Sequence, residues 1–244
     1  MSMHKLFLFG VALLCGTIAT KAADDERRYE LDVKDFSELR VIEGLSVDYK
    51  CSADSAGYVT FTSTPDLASV LMFTNNKNRL DIQISTDGID YQNLPRITVY
   101  SRFLSMVENS GDSLVRVQSL QPVPAFKARV IGNGRLSVYG IDTNNLDASL
   151  DTGNGTITLY GKAVKTKYNL VGTGSIQADE LVSDEIKCSL LGTGFIECAP
   201  VNMLNIVGAS SGKVYYKGHP QIKTRSLGVK VISMDANTST AGEQ

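Results

Sequence analysis

Between Asn109 and Met234 the chain repeats a short glycine motif at a nearly fixed interval. Ser110-Gly111 is followed by Gly132-Asn133-Gly134, Gly153-Asn154-Gly155, Gly172-Thr173-Gly174, Gly192-Thr193-Gly194, Gly208-Ala209-Ser210 and Gly228. The first glycines are 21, 21, 19, 20, 16 and 20 residues apart. A period near 20, filled with strand-forming residues, is the signature of a β-solenoid in which each repeat is one coil stacked on the last. The glycines then mark corners. Positive φ at a corner is nearly free only for glycine, with asparagine next, which also suits Asn133 and Asn154. Stacked corners approach to about the strand spacing, 4.8 Å, which favours small residues in them.

Aligned on these corners, each coil offers apolar residues two apart, and such residues share one face of a strand. The predicted inward pairs after the motif are Val115/Val117, Leu136/Val138, Ile157/Leu159, Ile176/Ala178, Ile196/Cys198 and Ile232/Met234. Val214/Tyr216 joins them if the Gly208 coil has a longer turn through Ser210-Ser211-Gly212. The strand before each motif supplies Ala128/Val130, Tyr168/Leu170, Cys188/Leu190 and Leu204/Ile206. Ala148 and Leu150 are displaced by one, which a one-residue bulge would correct.

Upstream, Leu39/Val41 and Leu45/Val47/Tyr49 alternate with polar residues, and Tyr58–Thr62 is rich in β-branched and aromatic residues, so this region also reads as strands. Asn75-Asn76-Lys77-Asn78 is the turn of a predicted hairpin reaching Leu80/Ile82/Ile84. No run has helical spacing. The expectation is an all-β chain: an N-terminal β-region (about 29–108) continuous with a β-solenoid (about 109–234), together one domain over 23–235, with a polar, disordered tail at 236–244.

The first 22 residues read differently. His4 and Lys5 precede the apolar run Leu6–Leu14, and Thr20-Lys21-Ala22 supplies small residues for cleavage. This is a secretory signal peptide; its apolar core is far short of the about 20 residues a spanning helix needs. Leu14 is too bulky to precede a lipidated Cys15. No later run is apolar enough to span a membrane. The chain is therefore read as exported, into the periplasm, onto the outer membrane or outside the cell.

Cleavage would leave 22 basic against 26 acidic residues, a balance that disfavours nucleic acid as a partner. Cys51, Cys188 and Cys198 remain, an odd number that does not make a disulfide scaffold. Cys188 and Cys198 are symmetric about Thr193 and both fall on inward positions, which suits buried thiols. One histidine, His219, is too few for a histidine-rich metal site and an improbable base for a serine triad. Neither a cofactor nor a metal is expected.

The Gly-Asn-Gly and Gly-Thr-Gly steps, the opening Phe36-Ser37-Glu38-Leu39-Arg40-Val41 with Val47-Asp48-Tyr49, and the closing Gly212-Lys213-Val214-Tyr215-Tyr216-Lys217-Gly218-His219-Pro220 together resemble the GIN domain, the head domain of putative auto-transporter adhesins of exported bacterial proteins. The resemblance runs from about Phe36 to Ile232. It implies a right-handed β-helix-like fold and an adhesin-like function.

The candidate sites follow from the register. Glycine motifs that enter strands are corners and not phosphate loops, which lead into helices. On this reading Gly111, Gly132, Gly134, Gly153, Gly155, Gly172, Gly174, Gly192, Gly194, Gly208, Gly212 and Gly228 are structural. Tyr139 and Tyr160 occupy one outward position in consecutive coils, and Tyr215 is a third outward aromatic. These are the candidate binding residues, for a glycan or a protein of the envelope or host. Two acidic groups, Asp142/Asp147/Asp151 and Asp179/Glu180/Asp184/Glu185, open the alternative of a polysaccharide lyase, which needs carboxylates converging with a cation and a basic residue. The leading expectation is a non-enzymatic, adhesin-like binding protein; a purely structural envelope component is the remaining alternative.

Overall fold

The computed structural model describes residues 26–85 and 93–235. The signal peptide and the tail expected from the sequence lie outside the described residues. The chain begins with β1 (Arg27–Asp32), β2 (Glu38–Val41), β3 (Val47–Cys51) and β4 (Tyr58–Ser63), then one helix, α1 (Pro65–Val70). It continues through β5 (Leu71–Asn76), β6 (Arg79–Ile84), β7 (Ile97–Ser101), β8 (Met106–Asn109), β9 (Leu114–Val117) and β10 (Val123–Ile131). Four long bent strands follow: β11 (Arg135–Asp151), β12 (Thr156–Gly172), β13 (Ser175–Gly192) and β14 (Phe195–Ala209). The chain then closes with β15 (Lys213–Tyr216), β16 (Gln221–Leu227) and β17 (Lys230–Ser233). It is a β-solenoid. Helix α1, absent from the sequence expectation, is six residues long: Pro65 takes its first position, the Thr64 hydroxyl accepts from the Leu67 N–H, and Ala68 and Val70 pack against the core, a pattern too short to show as helical spacing.

Two parallel walls run the length of the stack. The wall before the glycine corner stacks β6, β2, β8, β10, then the C-terminal halves of β11 to β14, and finally β16. The wall after it stacks β7, β3, β9, the N-terminal segments of β11 to β14, β15 and β17. The stacking thus reaches beyond the glycine steps into the N-terminal region. It does so out of chain order, with β2 and β3 inserted between the rungs made by β6/β7 and β8/β9. Beyond β6 and β7 the polarity changes: β5 pairs antiparallel with β6, β4 with β7 and β1 with β4.

Within one long strand the alternation of buried and exposed residues breaks twice. In β11 Tyr139 and Gly140 both face out, and so do Asn144 and Asn145. Each doubled outward pair turns the chain without leaving the ladder, so a coil has three sides. Inward columns fill the interior: Leu39, Leu80, Val107, Ala128, Ala148, Tyr168, Cys188 and Ile206 on one wall, and Val47, Val115, Leu136, Ile157, Ile176, Ile196 and Val214 on the other, all essentially inaccessible. Cys188 and Cys198 are both buried, free thiols. Contact with the Cys198 thiol, and burial after it, push Cys188 well above the ordinary thiol value.

Both glycines of a motif sit where a Cβ would meet the rung below, from Gly153 onward, but only the first also needs a left-handed backbone. Gly132, Gly153, Gly172 and Gly192 have φ of 94°, 77°, 125° and 137°, a region that costs other residues strain. Gly134, Gly155, Gly174 and Gly194 do not; there a Cβ would collide with the backbone of the rung below, as at Gly174 against the Gly155 carbonyl oxygen. Gly111 and Gly212 belong to this second column, against Glu43 and Gly194.

Several details of register differ from expectation. The extra residue of the Gly153 coil sits in the corner as Thr152, at φ 65°, and the strand before it stays in phase, Ala148 opposite Ala128 and Leu150 opposite Val130. Asn133 and Asn154 are not left-handed; instead the Asn154 N–H donates to the Asn133 Oδ1 at 2.9 Å, linking corners. Leu204 pairs with Ile186 and Ile206 with Cys188, which leaves Gly208 inside β14 opposite Leu190. The longer turn then restores Val214 over Ile196. In the last rung Val231 takes the place over Val214 and Ile232 that over the outward Tyr215, so Ile232 and Met234 are not the inward pair. The two-residue alternation makes any single slip a change of face.

Candidate functional site

The bend after the wall of β11 and β12 carries two of the three outward aromatics. Tyr139 precedes Gly140, whose φ of 77° permits the bend, and Tyr160 precedes Gly161 one coil on. Their rings stack with centroids 4.5 Å apart and planes 5° from parallel, while 39% of Tyr139 remains exposed. Burial against the stack, followed by the neighbouring Tyr139 hydroxyl, raises the Tyr160 phenol above its ordinary value.

The same outward line continues as charge. β13 carries an extra residue at this bend, so Tyr160 pairs with Glu180 and Asp179 bulges out beside it. Two rungs further, past β14, Lys217 leaves β15 with its N–H donating to the Cys198 carbonyl. Its Nζ lies 2.8 Å from Asp179 and 3.1 Å from Glu180, and these two carboxylates hold the ammonium above the ordinary lysine value. Glu197, half-buried in the adjacent column, is pushed up by burial and then by Asp179. Along the solenoid axis the surface therefore reads Tyr139, Tyr160, Asp179/Glu180, Lys217.

Tyr215 lies elsewhere on the wall. It continues the outward column Ser137, Thr158, Gln177, Glu197 and packs edge-on against Phe195, centroids 6.1 Å apart at 86°. The structure joins Tyr139 to Tyr160 but not to Tyr215. Lys217 belongs to the closing stretch of the family pattern but is not among the candidate binding residues that the sequence offers. Its position two residues after outward Tyr215 places it on the side of the charged line, a signal the two-residue period carries once the long turn is known.

The acidic groups do not converge. Asp142 pairs with Lys162 at 3.2 Å, Asp151 with Arg129 at 2.6 Å, and Asp147 accepts from Asn169. Glu185 pairs with Lys165 at 3.6 Å, away from Asp179 and Glu180. Among the described residues there is no group of three or more metal-ligating side chains. Where Asp179 and Glu180 meet Lys217 they hold that lysine charged, opposite to what a base requires. His219 is exposed in the loop after β15. What this arrangement can do is bind: ring edges and hydroxyls beside a compact cluster of fixed charges on a rigid wall.

The fold is thus a three-sided β-solenoid with a closed interior and its distinctive side chains displayed on outward columns. The family model described as "Putative auto-transporter adhesin, head GIN domain" matches residues 35–220, and the chain belongs to that family. Similar solved structures include a putative adhesin from Bacteroides fragilis, at 19% identity and a TM-score of 0.77, covering 87% of this chain and 98% of that one. A putative adhesin from Parabacteroides merdae is 19% identical, with a TM-score of 0.70 and coverages of 86% and 96%. A protein from Parabacteroides distasonis described as a putative lipid binding protein is 20% identical, with a TM-score of 0.67 and coverages of 86% and 96%. No curated protein matches. Among the described residues no helix is long and apolar enough to cross a membrane.

Proposed function

We propose that this is an exported, non-catalytic, adhesin-like protein of the cell envelope. On this reading it presents the line from Tyr139 through Tyr160 to Lys217 to a glycan or a protein partner. The observation that carries the reading is the continuity of that line: an accessible aromatic pair runs into an Asp179–Glu180–Lys217 cluster along one rigid face. Aromatic rings suit the apolar faces of sugars and the anchors of protein interfaces, and neighbouring charges supply direction. The family description supports binding over catalysis. The lipid-binding description of one structural neighbour finds less support here, because the inward columns are filled by packed side chains.

A glycan array and a pull-down from envelope extract with the purified protein test the proposal. Y139A/Y160A should abolish capture of the ligand found while the protein stays folded. Capture unaffected by Y139A/Y160A and by K217A would refute the assignment to this face. A double variant that loses only stability, with no ligand found for the parent, would leave the stack as a structural ladder and overturn the reading.

A further inference from the structure

The wall before the glycine corner shows a different chemistry on its outward side. Lys127, Asp147, Lys167, Lys187, Asn205 and Lys223 form one column, each in register with the next. The four lysines are exposed, and among the described residues none lies within ion-pair distance of a carboxylate. Arg225 extends the cationic end. Of the acids on this wall, Glu185 is paired with Lys165, Asp81 with Arg79, Glu108 with Arg40 and Arg129, and Asp151 with Arg129. Asp147 accepts only from the neutral Asn169 amide, and Glu38, two rungs before Lys127, has no ion-pair partner among the described residues. An acidic chain, of net charge −2, thus sets Lys167, Lys187 and Lys223 in one line beyond Asp147 with no carboxylate between them. Beside that line Ser149, Asn169 and Ser189 form a half-buried column of hydroxyl and amide groups. Between Lys127 and Lys167 the surface dips into a depression lined in part by Phe126, Asn145 and Lys165.

We infer that this column is a second binding surface, for a linear acidic polysaccharide with one carboxylate per sugar. The rungs repeat at about 4.8 Å, comparable to the length of one sugar in an extended chain. The ammonium groups would then meet carboxylates while the Ser/Asn column meets hydroxyls. A polymer carrying both groups in one line fits better than a lipid surface, which would meet a plane of charge. Nucleic acid fits less well, because single strands rely on aromatic stacking platforms and this wall offers no exposed ring among its outward columns. The surface is independent of the Tyr139–Lys217 line and shares no residue with it.

The test is equilibrium binding of the full chain to polygalacturonate, with dextran as a neutral control and with duplex DNA and phosphatidylserine vesicles as other polyanions. Saturable binding that weakens as salt rises, with none to dextran, is expected. K167E/K187E should weaken it about tenfold or more with an unchanged unfolding midpoint, since both side chains are exposed. K127E/K223E, at the ends of the column, should weaken it by a smaller factor and reports even if the first variant fails to fold. Y139A/Y160A should leave it unchanged, which separates this surface from the one proposed above. The inference is overturned by absence of polygalacturonate binding, by equal binding of dextran, by tighter binding of DNA or vesicles, or by binding that survives both lysine variants.

Discussion

The two ends of the solenoid are finished in opposite ways. At the N-terminal end the parallel ladder stops against antiparallel strands: β5 covers β6, β4 covers part of β7, and β1 covers β4. There Tyr29, Phe61 and Phe73 stack in sequence, at 5.1 and 5.9 Å between centroids, and close the interior with aromatic area. At the C-terminal end β16 and β17 pair only inward, and no other described strand pairs with their far edge. Ile222 and Thr224 continue the columns of Leu204 and Ile206 but are exposed, and Leu227 is 80% exposed. One end is closed by burial. The other is guarded by charge: Lys223, Arg225 and Lys230 point out from the last strands, and charged side chains on a free edge discourage pairing with another chain.

That contrast sets the scale of the expected mutational effects. Phe61→Ala removes the middle ring of the cap and should cost about 3 kcal/mol, whereas Leu227→Ala should stay within about 0.5 kcal/mol; denaturant unfolding of both variants compares the ends directly. Equal losses would show that the open end is as tightly built as the closed one.

Next in size is Glu108, which lies in β8 beside the inserted rung. Its buried carboxylate is 2.8 Å from Arg40 of β2 and 3.2 Å from Arg129 of β10. Glu108→Ala would leave two arginines facing each other across a rung. With both guanidinium groups more than a third exposed, about 1–2 kcal/mol is expected. The same unfolding experiment checks it, and a loss that persists in high salt would identify packing, rather than charge, as the cause.

Two buried tyrosines then compare the capped region with the middle of the stack. Tyr49 shares a hydrogen bond with the Ser101 hydroxyl at 2.9 Å. Tyr168 meets no partner in hydrogen-bonding geometry, since nearby Thr166 donates to Ser183. Tyr49→Phe should therefore cost about 1 kcal/mol, and Tyr168→Phe should be neutral or slightly stabilising. Burial raises both phenols. An unfolded tyrosine ionises near pH 10, so their contribution to stability is complete below that pH and is lost as pH rises above it. A pH series of unfolding midpoints should fall on the alkaline side, less steeply in either Phe variant.

The smallest effect concerns the guarded edge. K223V/R225V should barely change the unfolding midpoint but should increase concentration-dependent self-association in sedimentation relative to the parent. Sedimentation unchanged from the parent would mean that the charges are not what keeps that edge free.

The legibility of this fold in its sequence varied by level. The glycine spacing carried the solenoid and most inward columns, because a corner repeats the same steric demand in every rung. It could not carry single-residue phase. Thr152 absorbs its extra residue in a left-handed corner, and the last rung is shifted by one, so that Val231 and not Ile232 faces in. Nor could periodicity reveal that β2 pairs with both β6 and β8, because long-range pairing leaves no mark on local alternation. At the candidate site the outward positions of Tyr139 and Tyr160 followed from the period. The convergence of Asp179 and Glu180 on Lys217 did not, since it depends on a bulge in β13 and a long turn before β15.

The inserted rung of β2 and β3 also orders events in time. A solenoid whose rungs followed chain order could settle coil by coil from its N-terminus onward. Here residues 38–51 have no finished neighbour on either side until β6 to β9, up to Val117, have been made. The first half of the chain must therefore close as one cooperative unit across long loops, a slow step by contact-order reasoning. The rungs from β10 onward can then add in succession to a finished template. A protein built this way would have its kinetic bottleneck in the N-terminal half and its fastest-assembling part in the glycine repeats.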